Sequence, residues 1–306
     1  MTGLAGSLKT PGSCLNKTAP LIDYLVMQAM IVTDNLGKQY QDLVALDGLS
    51  LQVPPGEIFG LLGPNGAGKT TTIKILTTLA RPSRGTARIH DFDVVRQPLA
   101  VKKLIGVCPQ EINLDRELTA YENLWIYGRL HRMPDLAARI AELLKFGNLE
   151  ERAHSLVREF SGGMQRRLLI LRALVSRPRV LFLDEPTVGL DPQVRRQLWN
   201  LIQELKLSGI TIILTTHYIE EAEMLCDRVG VLNRGRLIAL DTPAALVAKV
   251  GGYVVETLNS GRRQYLLVRD KAEAYARAQT EPTGVIIRQV NLEDVFIQLT
   301  GERLTN

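Results

Sequence analysis

The sequence predicts an α/β fold organised around a parallel β-sheet, and three observations carry the prediction. The runs "RVLFLD" and "ITIILTTH" are continuously apolar and end in polar residues, as expected of strands buried on both faces of a parallel sheet. The stretch "EIFGLLGPNGAGKTTTIKIL" reads as a buried strand, a glycine-rich turn and a helix in immediate succession. From Val180 onward, short apolar strands alternate with amphipathic helices. In such a fold the active groups belong at the carboxyl ends of the strands.

Taken in chain order, residues 1–29 lack the pattern of a folded element. Their apolar part, roughly Leu21 to Val32, is interrupted by Asp23 and is too short to span a bilayer core of about 30 Å. Pro11, Gly12, Asn16 and Pro20 break up the clean apolar centre that a signal peptide needs. A poorly ordered extension, or an early start ahead of Met27 or Met30, is expected there. From Ile31 to about Asp115 the pattern is strand-rich: "LSLQVPPGEIFGLLG" gives an alternating strand, a turn at Pro54 to Gly56 and a buried strand Ile58 to Leu62. From about Leu118 to Leu174 the reading is mainly helical.

A helix from Pro192 to about Leu207 is clearly bounded. Asp191 can cap it, Pro192 suits its first position and Gly209 lies just past its end. Val194, Leu198, Leu201, Ile202 and Leu205 share one face, which should pack on the sheet. After about Asp241 the segments "GGYVVETL", "RQYLLV", "KAEAYARAQ", "GVIIRQV" and "LEDVFIQLTG" suggest a small strand-strand-helix-strand-helix unit. The expected organisation is an extension over 1–29, a main domain over 30–240 with a helical lobe near 115–175, and an accessory unit over 241–306.

Composition bounds the function. With 306 residues, 45% hydrophobic and 23% charged, the chain has the balance of a globular protein rather than a disordered one. The net charge of +5 is spread along the chain with no Lys/Arg block, so no nucleic-acid partner is expected. A basic balance is compatible with lying against an anionic membrane face. The three cysteines, Cys14, Cys108 and Cys226, are far apart and form no Cys-x-x-Cys pair, which favours a reducing cytoplasm over a disulfide framework.

The chemistry starts at Gly63, Pro64, Asn65, Gly66, Ala67, Gly68, Lys69, Thr70 and Thr71, which contain Gly-x-x-x-x-Gly-Lys-Thr between a buried strand and a helix. Glycines let consecutive N–H groups curl inward around a phosphate, and the following helix adds its positive end. Lys69 would reach the β- and γ-phosphates, and the Thr70 hydroxyl would ligate Mg²⁺. In "RVLFLDEP" a strand ends in Asp184 and Glu185, which places one carboxylate for the metal and a second that can accept a proton from water. The stretch "VREFSGGMQRRLLILRAL" offers a second anion cradle at a helix start, with the amides of Ser161, Gly162 and Gly163. Taken singly, Tyr40 reads as a surface aromatic, Gln110 as a turn residue and His217 as a polar strand end.

In order, however, these pieces resemble the ATP-binding cassette family, the nucleotide-binding subunits of ABC transporters, over roughly Ile31 to Thr242. The resemblance implies a P-loop NTPase cassette with a RecA-like parallel-sheet core, an antiparallel β subdomain and an α-helical subdomain, here followed by a small α+β C-terminal unit. It implies that Tyr40 stacks on adenine, that Gly63 to Thr70 form the Walker A loop and that Gln110 contacts Mg²⁺ and the γ-phosphate region. Asp184 would be the Walker B aspartate, Glu185 the catalytic base, Asp191 part of the D-loop and His217 the switch histidine. The signature reads Phe-Ser-Gly-Gly-Met-Gln where Leu-Ser-Gly-Gly-Gln is the commonest family form, with the phosphate-touching Ser-Gly-Gly intact.

"FSGGM", "PTVGLDP", "TTHYIEEAEMLCDRV" and "NLEDVFIQLTG" look like the branch whose cassettes pair with separate membrane subunits to export drugs, lipids or polysaccharides. The implied ligands are ATP and Mg²⁺. The implied partners are a second cassette subunit, whose signature completes the site, and integral membrane permease subunits, with the chain peripheral on the cytoplasmic face of the membrane. "LTAYENLWIYGRLHRM", with Tyr121, Leu124, Trp125 and Tyr127, is lobe core or permease seat. An importer subunit remains the alternative. A soluble ATPase of chromosome or repair type is disfavoured because the stretch between Gln110 and Ser161 is too short for a long coiled coil.

Overall fold

The computed structural model describes residues 29–259, 262–280 and 284–301. The extension expected over 1–29 lies, save Ala29, outside the described residues.

The chain opens with two long antiparallel strands, β1 (Ile31–Tyr40) and β2 (Leu43–Val53), followed by the buried strand β3 (Ile58–Leu62) and helix α1 (Lys69–Leu76). Strands β4 (Arg84–Ile89) and β5 (Phe92–Asp93) return to β1 to give an antiparallel sheet in the order β2-β1-β4-β5. Its inward side chains, Ile31, Leu36, Leu49, Val53 and Ile89, are fully buried. Helix α2 (Pro98–Leu104) then leads to β6 (Ile105–Cys108).

The helical lobe follows as α3 (Ala120–Leu130), α4 (Leu136–Phe146) and α5 (Gly162–Leu174). Helix α3 starts on a capping box: the Thr119 hydroxyl accepts from the Glu122 amide, and the Glu122 carboxylate accepts from the Thr119 amide. Leu124, Ile140, Leu143 and Leu168 fill the space between the three helices. The core then resumes with β7 (Val180–Asp184), α6 (Pro192–Leu207), β8 (Thr211–Thr216), α7 (Ile219–Leu225), β9 (Arg228–Asn233) and β10 (Arg236–Asp241).

The main sheet runs β10-β9-β3-β8-β7-β6, with β9, β3, β8, β7 and β6 parallel and β10 antiparallel at the edge. Every residue of β3, β7 and β8 is buried, because helices cover both faces. Helix α6 occupies the span expected from its signals, with the Asp191 carboxylate accepting from the Val194 amide at 3.0 Å. It turns Leu198, Trp199, Leu201, Ile202 and Leu205 inward, and each fully buried apolar side chain of that size contributes about 1.5–3 kcal/mol.

Past β10, α8 (Pro243–Val250) leads into β11 (Tyr253–Asn259), β12 (Arg262–Val268), α9 (Lys271–Thr280), β13 (Ile286–Gln289) and α10 (Leu292–Thr300). The three strands form their own antiparallel sheet in the order β12-β11-β13. The unit has a small cluster of its own, Val255, Val268 and Ala274, whereas Leu292, Val295 and Phe296 of α10 are buried in the same apolar cluster as β7, α6 and α7. Arg288 ties its elements together by bridging Glu256 and Asp294.

Candidate functional site: a phosphate cradle at the strand ends

Four neighbouring strands, β3, β8, β7 and β6, end at one edge of the main sheet. The loops leaving them carry Lys69, His217, Asp184 with Glu185, and Gln110. Parallel topology explains the convergence, since it aligns every carboxyl end on one side.

The loop after β3 wraps tightly, and at two of its glycines, Gly63 and Gly68, there is no room for anything larger. A Cβ on Gly63 would lie 2.3 Å from the Leu232 carbonyl oxygen. Gly68 has φ +105°, and a Cβ there would meet the Ala45 carbonyl at 2.7 Å. The loop is braced from outside: the Gly63 amide donates to the Thr216 carbonyl at 3.3 Å, and Gly235 donates to Ala67 at 3.0 Å. Helix α1 opens directly at Lys69 with no acidic residue in its first turn, so its positive end faces the loop undiminished.

Lys69 is buried, and its Nζ donates to the carbonyls of Gly63 at 2.7 Å and Pro64 at 3.1 Å. The same ammonium lies 3.1 Å from Glu185 Oε1. Glu185 follows β7 with φ +48°, a left-handed backbone that costs a non-glycine residue about 1–3 kcal/mol. Two bonds hold it there, from the Glu185 amide to the Thr215 hydroxyl at 3.0 Å and to the Thr215 carbonyl at 3.1 Å. His217 Nδ1 stands 3.3 Å from the same Glu185 oxygen, yet is buried without an aligned hydrogen-bond partner. A cation, a carboxylate and an imidazole therefore meet at one point, and the imidazole has bonding capacity to spare.

Asp184 is also buried, and its Oδ1 accepts from the Thr215 hydroxyl at 2.5 Å and the Thr70 hydroxyl at 3.3 Å. Among the described residues no Lys or Arg pairs with it. A buried carboxylate supported by hydroxyls and lacking a cation suits a divalent ion. Among the described residues no group of three or more His, Cys, Asp or Glu side chains forms a metal cage. That donor set fits Mg²⁺, which is held by one or two carboxylates together with substrate phosphates.

Lys69, Thr70 and Glu185 line a cleft of about 450 Å³ whose other walls are Tyr40, Leu43, Val44, Ala45, the rest of the loop from Asn65 to Thr71, and Gln110; Asp184 and His217 are not among its lining residues. Tyr40 is half exposed at its rim, with the Lys38 ammonium 4.7 Å from the ring centre. Gln110 is exposed, and its carbonyl is fixed by Arg166 at 2.8 Å. Ser161, Gly162, Gly163 and Asp191 do not line this cleft. The Ser161 hydroxyl caps α5 by accepting from the Met164 amide at 3.3 Å, and Asp191 caps α6. Ser161 and Gly162 are exposed, so the start of α5 is an open surface.

Sequence reasoning missed two residues that shape the site. Thr215 holds both acids of β7, and its only signal was a second threonine beside the histidine in "LTTH". Arg166 is buried in α5 and donates to the carbonyls of Pro109 and Gln110 at 2.9 and 2.8 Å. A charged residue inside the buried face of "MQRRLLIL" was its available sign. Cys108, two residues before Gln110, is inert: burial pushes its thiol up to about 11.

Comparison with known proteins converges on the same reading. Residues 46–188 match the ABC transporter family. The chain is 42% identical to a Nod factor export ATP-binding protein of Paraburkholderia xenovorans, over 90% of this chain and 99% of that one. It is 40% identical to a daunorubicin resistance ATP-binding protein of Streptomyces coeruleorubidus, over 89% of this chain and 96% of that one. A solved ATP-binding cassette, in a dimeric post-hydrolysis state bound to ADP and Pi, superposes with a TM-score of 0.64 at 28% identity over 70% of this chain and 98% of that one. With a phosphate cradle, paired acids and a histidine gathered at the strand ends of that fold, the chain belongs to the ABC transporter family, as an ATP-hydrolysing cassette subunit.

Proposed function

We propose that this chain powers an exporter, hydrolysing ATP with Mg²⁺ in a site that is finished by a second cassette subunit, and driving separate integral membrane permease subunits from the cytoplasmic face. The observation that carries the catalytic reading is the meeting of Lys69, Glu185 and His217 within 3.3 Å of a single carboxylate oxygen. The relatives named for Nod factor export and daunorubicin resistance support export of a cargo of drug, lipid or polysaccharide class. No helix among the described residues is long and apolar enough to cross a membrane, consistent with a permease in separate subunits.

In this mechanism the loop amides from Gly63 to Thr71 and the Lys69 ammonium bind the phosphate chain and offset charge building on the transferring group. Tyr40 stacks on the adenine. Thr70, Asp184 and Gln110 would hold Mg²⁺, which would supply positive charge against the phosphate oxygens. Glu185 accepts the proton of the attacking water, and His217 orients that water through its uncommitted ring nitrogen. Ser161, Gly162 and Gly163 present their amides to the γ-phosphate held by the neighbouring chain, beside its Asp191 loop.

The helical lobe supplies the seat for the permease. Leu124 is core and Tyr121 and Tyr127 are partly buried, whereas Trp125, Ile126 and Leu130 on α3 are exposed along one side. Purification from detergent extracts tests the whole reading. A multi-span membrane protein should accompany the chain and stimulate its ATPase activity, and a chain recovered only with ribosomes or DNA would contradict it.

A further inference from the structure

The catalytic groups sit on two separate loops, Glu185 after β7 and His217 after β8, and a third acid joins those loops from behind. Glu221, in the first turn of α7, is completely buried. Its Oε1 accepts from the Thr187 hydroxyl at 2.8 Å and from the Trp199 indole N–H at 3.3 Å. The Thr216 hydroxyl lies near the same carboxyl, but its hydrogen bonds run to the Tyr218 backbone, accepting from the amide at 2.9 Å and donating to the carbonyl at 3.5 Å. Thr187 lies two residues past Glu185, Thr216 immediately precedes His217, and Trp199 belongs to α6, the helix that Asp191 starts.

Burial raises the Glu221 carboxyl above its ordinary value, and the neighbouring hydroxyls of Thr216 and Thr187 and the indole N–H of Trp199 oppose that rise. Its second oxygen, Oε2, has no aligned partner. A fully buried acid with one oxygen unsatisfied is costly unless something else requires it. Neither the phosphate cradle nor the metal donors use it.

We infer that Glu221 is a positioning residue for ATP hydrolysis: it clamps the Glu185 loop to the His217 loop and to the first turns of α6, and so fixes the water-orienting geometry. The inference rests on the assignment of Glu185 and His217 to the attacking water. The clamp acts on geometry rather than on nucleotide binding, because Glu221 and Thr187 lie outside the walls of the cleft. Loss of the clamp therefore lowers kcat and leaves the affinity for ATP in place.

The test uses the full chain with four substitutions, Glu221→Ala, Glu221→Gln, Thr187→Val and Thr187→Ser. Thr187→Val keeps the shape and removes the hydroxyl. It should lower kcat about ten- to a hundredfold, the size expected of a misplacement near 1 Å, with KM for ATP and equilibrium ATP binding unchanged. Glu221→Ala should match it. Thr187→Ser restores the hydroxyl and Glu221→Gln keeps the acceptor, and each should recover most of the lost kcat. Wild-type kcat in folded Thr187→Val would overturn the clamp. So would a parallel fall of kcat, ATP affinity and unfolding temperature, or a Thr187→Ser chain as slow as Thr187→Val. The underlying catalytic assignment fails separately, if Glu185→Gln turns over like wild type.

Discussion

Two helices in this chain start from glycine-bearing loops suited to phosphate, and they are built in opposite ways. The one at Lys69 is walled in: its loop is braced by Thr216 and Gly235, its lysine is buried, and two acids and a histidine stand opposite. The one at Ser161 is bare, with exposed Ser161 and Gly162 and no acid in the helix's first turn. Where the Lys69 loop has no space for a side chain at Gly63, Gly162 has almost nothing near it, and a Cβ there would meet only Leu190 Cδ2 at 3.9 Å. The Lys69 loop is packed against its own chain at Gly63 and Gly68, whereas the Ser161 turn keeps Ser161 and Gly162 at the surface and is crowded only at Gly163, by Val194.

That contrast is broken most severely by Glu185→Gln. With Glu185 as the proposed general base, the substitution should cut turnover about 10²–10⁴-fold while ATP still binds, as read by steady-state kinetics against equilibrium titration. Near-normal hydrolysis in that variant removes Glu185 from the role. Next in size, Lys69→Ala deletes a charged donor to phosphate and should weaken ATP binding about ten- to a hundredfold. It also leaves Glu185 buried without its cation, so the unfolding temperature should fall as well.

The bare cradle responds differently. Ser161→Ala removes the cap of α5 and should cost about 1 kcal/mol in chemical denaturation, leaving ATP binding by the isolated chain untouched. A drop in that binding would mean that Ser161 serves its own chain's site. The smallest effect concerns pH. Burial raises the Glu221 carboxyl, so the folded chain holds that proton more tightly than the unfolded one. Its stabilising contribution is complete below the ordinary value of 4.5 and is lost as pH rises through the raised value. Glu221→Gln should lose less stability than wild type over that rise when unfolding temperatures are compared across pH.

Much of this arrangement was legible in the chain itself. Strand-end chemistry could be read because parallel strands buried on both faces are continuously apolar, and because Lys69, Asp184, Glu185 and His217 sit where each run stops. Helix α6 could be placed from Pro192 to about Leu207, since Asp191, Pro192 and Gly209 each mark an end by backbone chemistry. What local pattern could not show were contacts made across the sheet. Thr215 holding the β7 acids, Arg166 gripping the Gln110 loop and Glu221 reaching Thr187 all depend on which strands lie side by side. The packing of Phe296 into the main core was hidden for the same reason, because a short amphipathic helix does not name the surface it will cover.

The central claim is that each hydrolytic site takes Lys69 from one chain and the Ser161–Gly163 turn from another. Gly162→Asp places a carboxylate on the bare cradle without a clash in its own chain, and Lys69→Ala disables the walled one. Each variant alone should be inactive. Mixed in equal amounts, they should regain ATPase activity, because a dimer with one of each keeps one site whose lysine and glycine turn are both intact. Activity that stays at the level of the separate variants after mixing, with mixed dimers shown to form, would contradict the shared site.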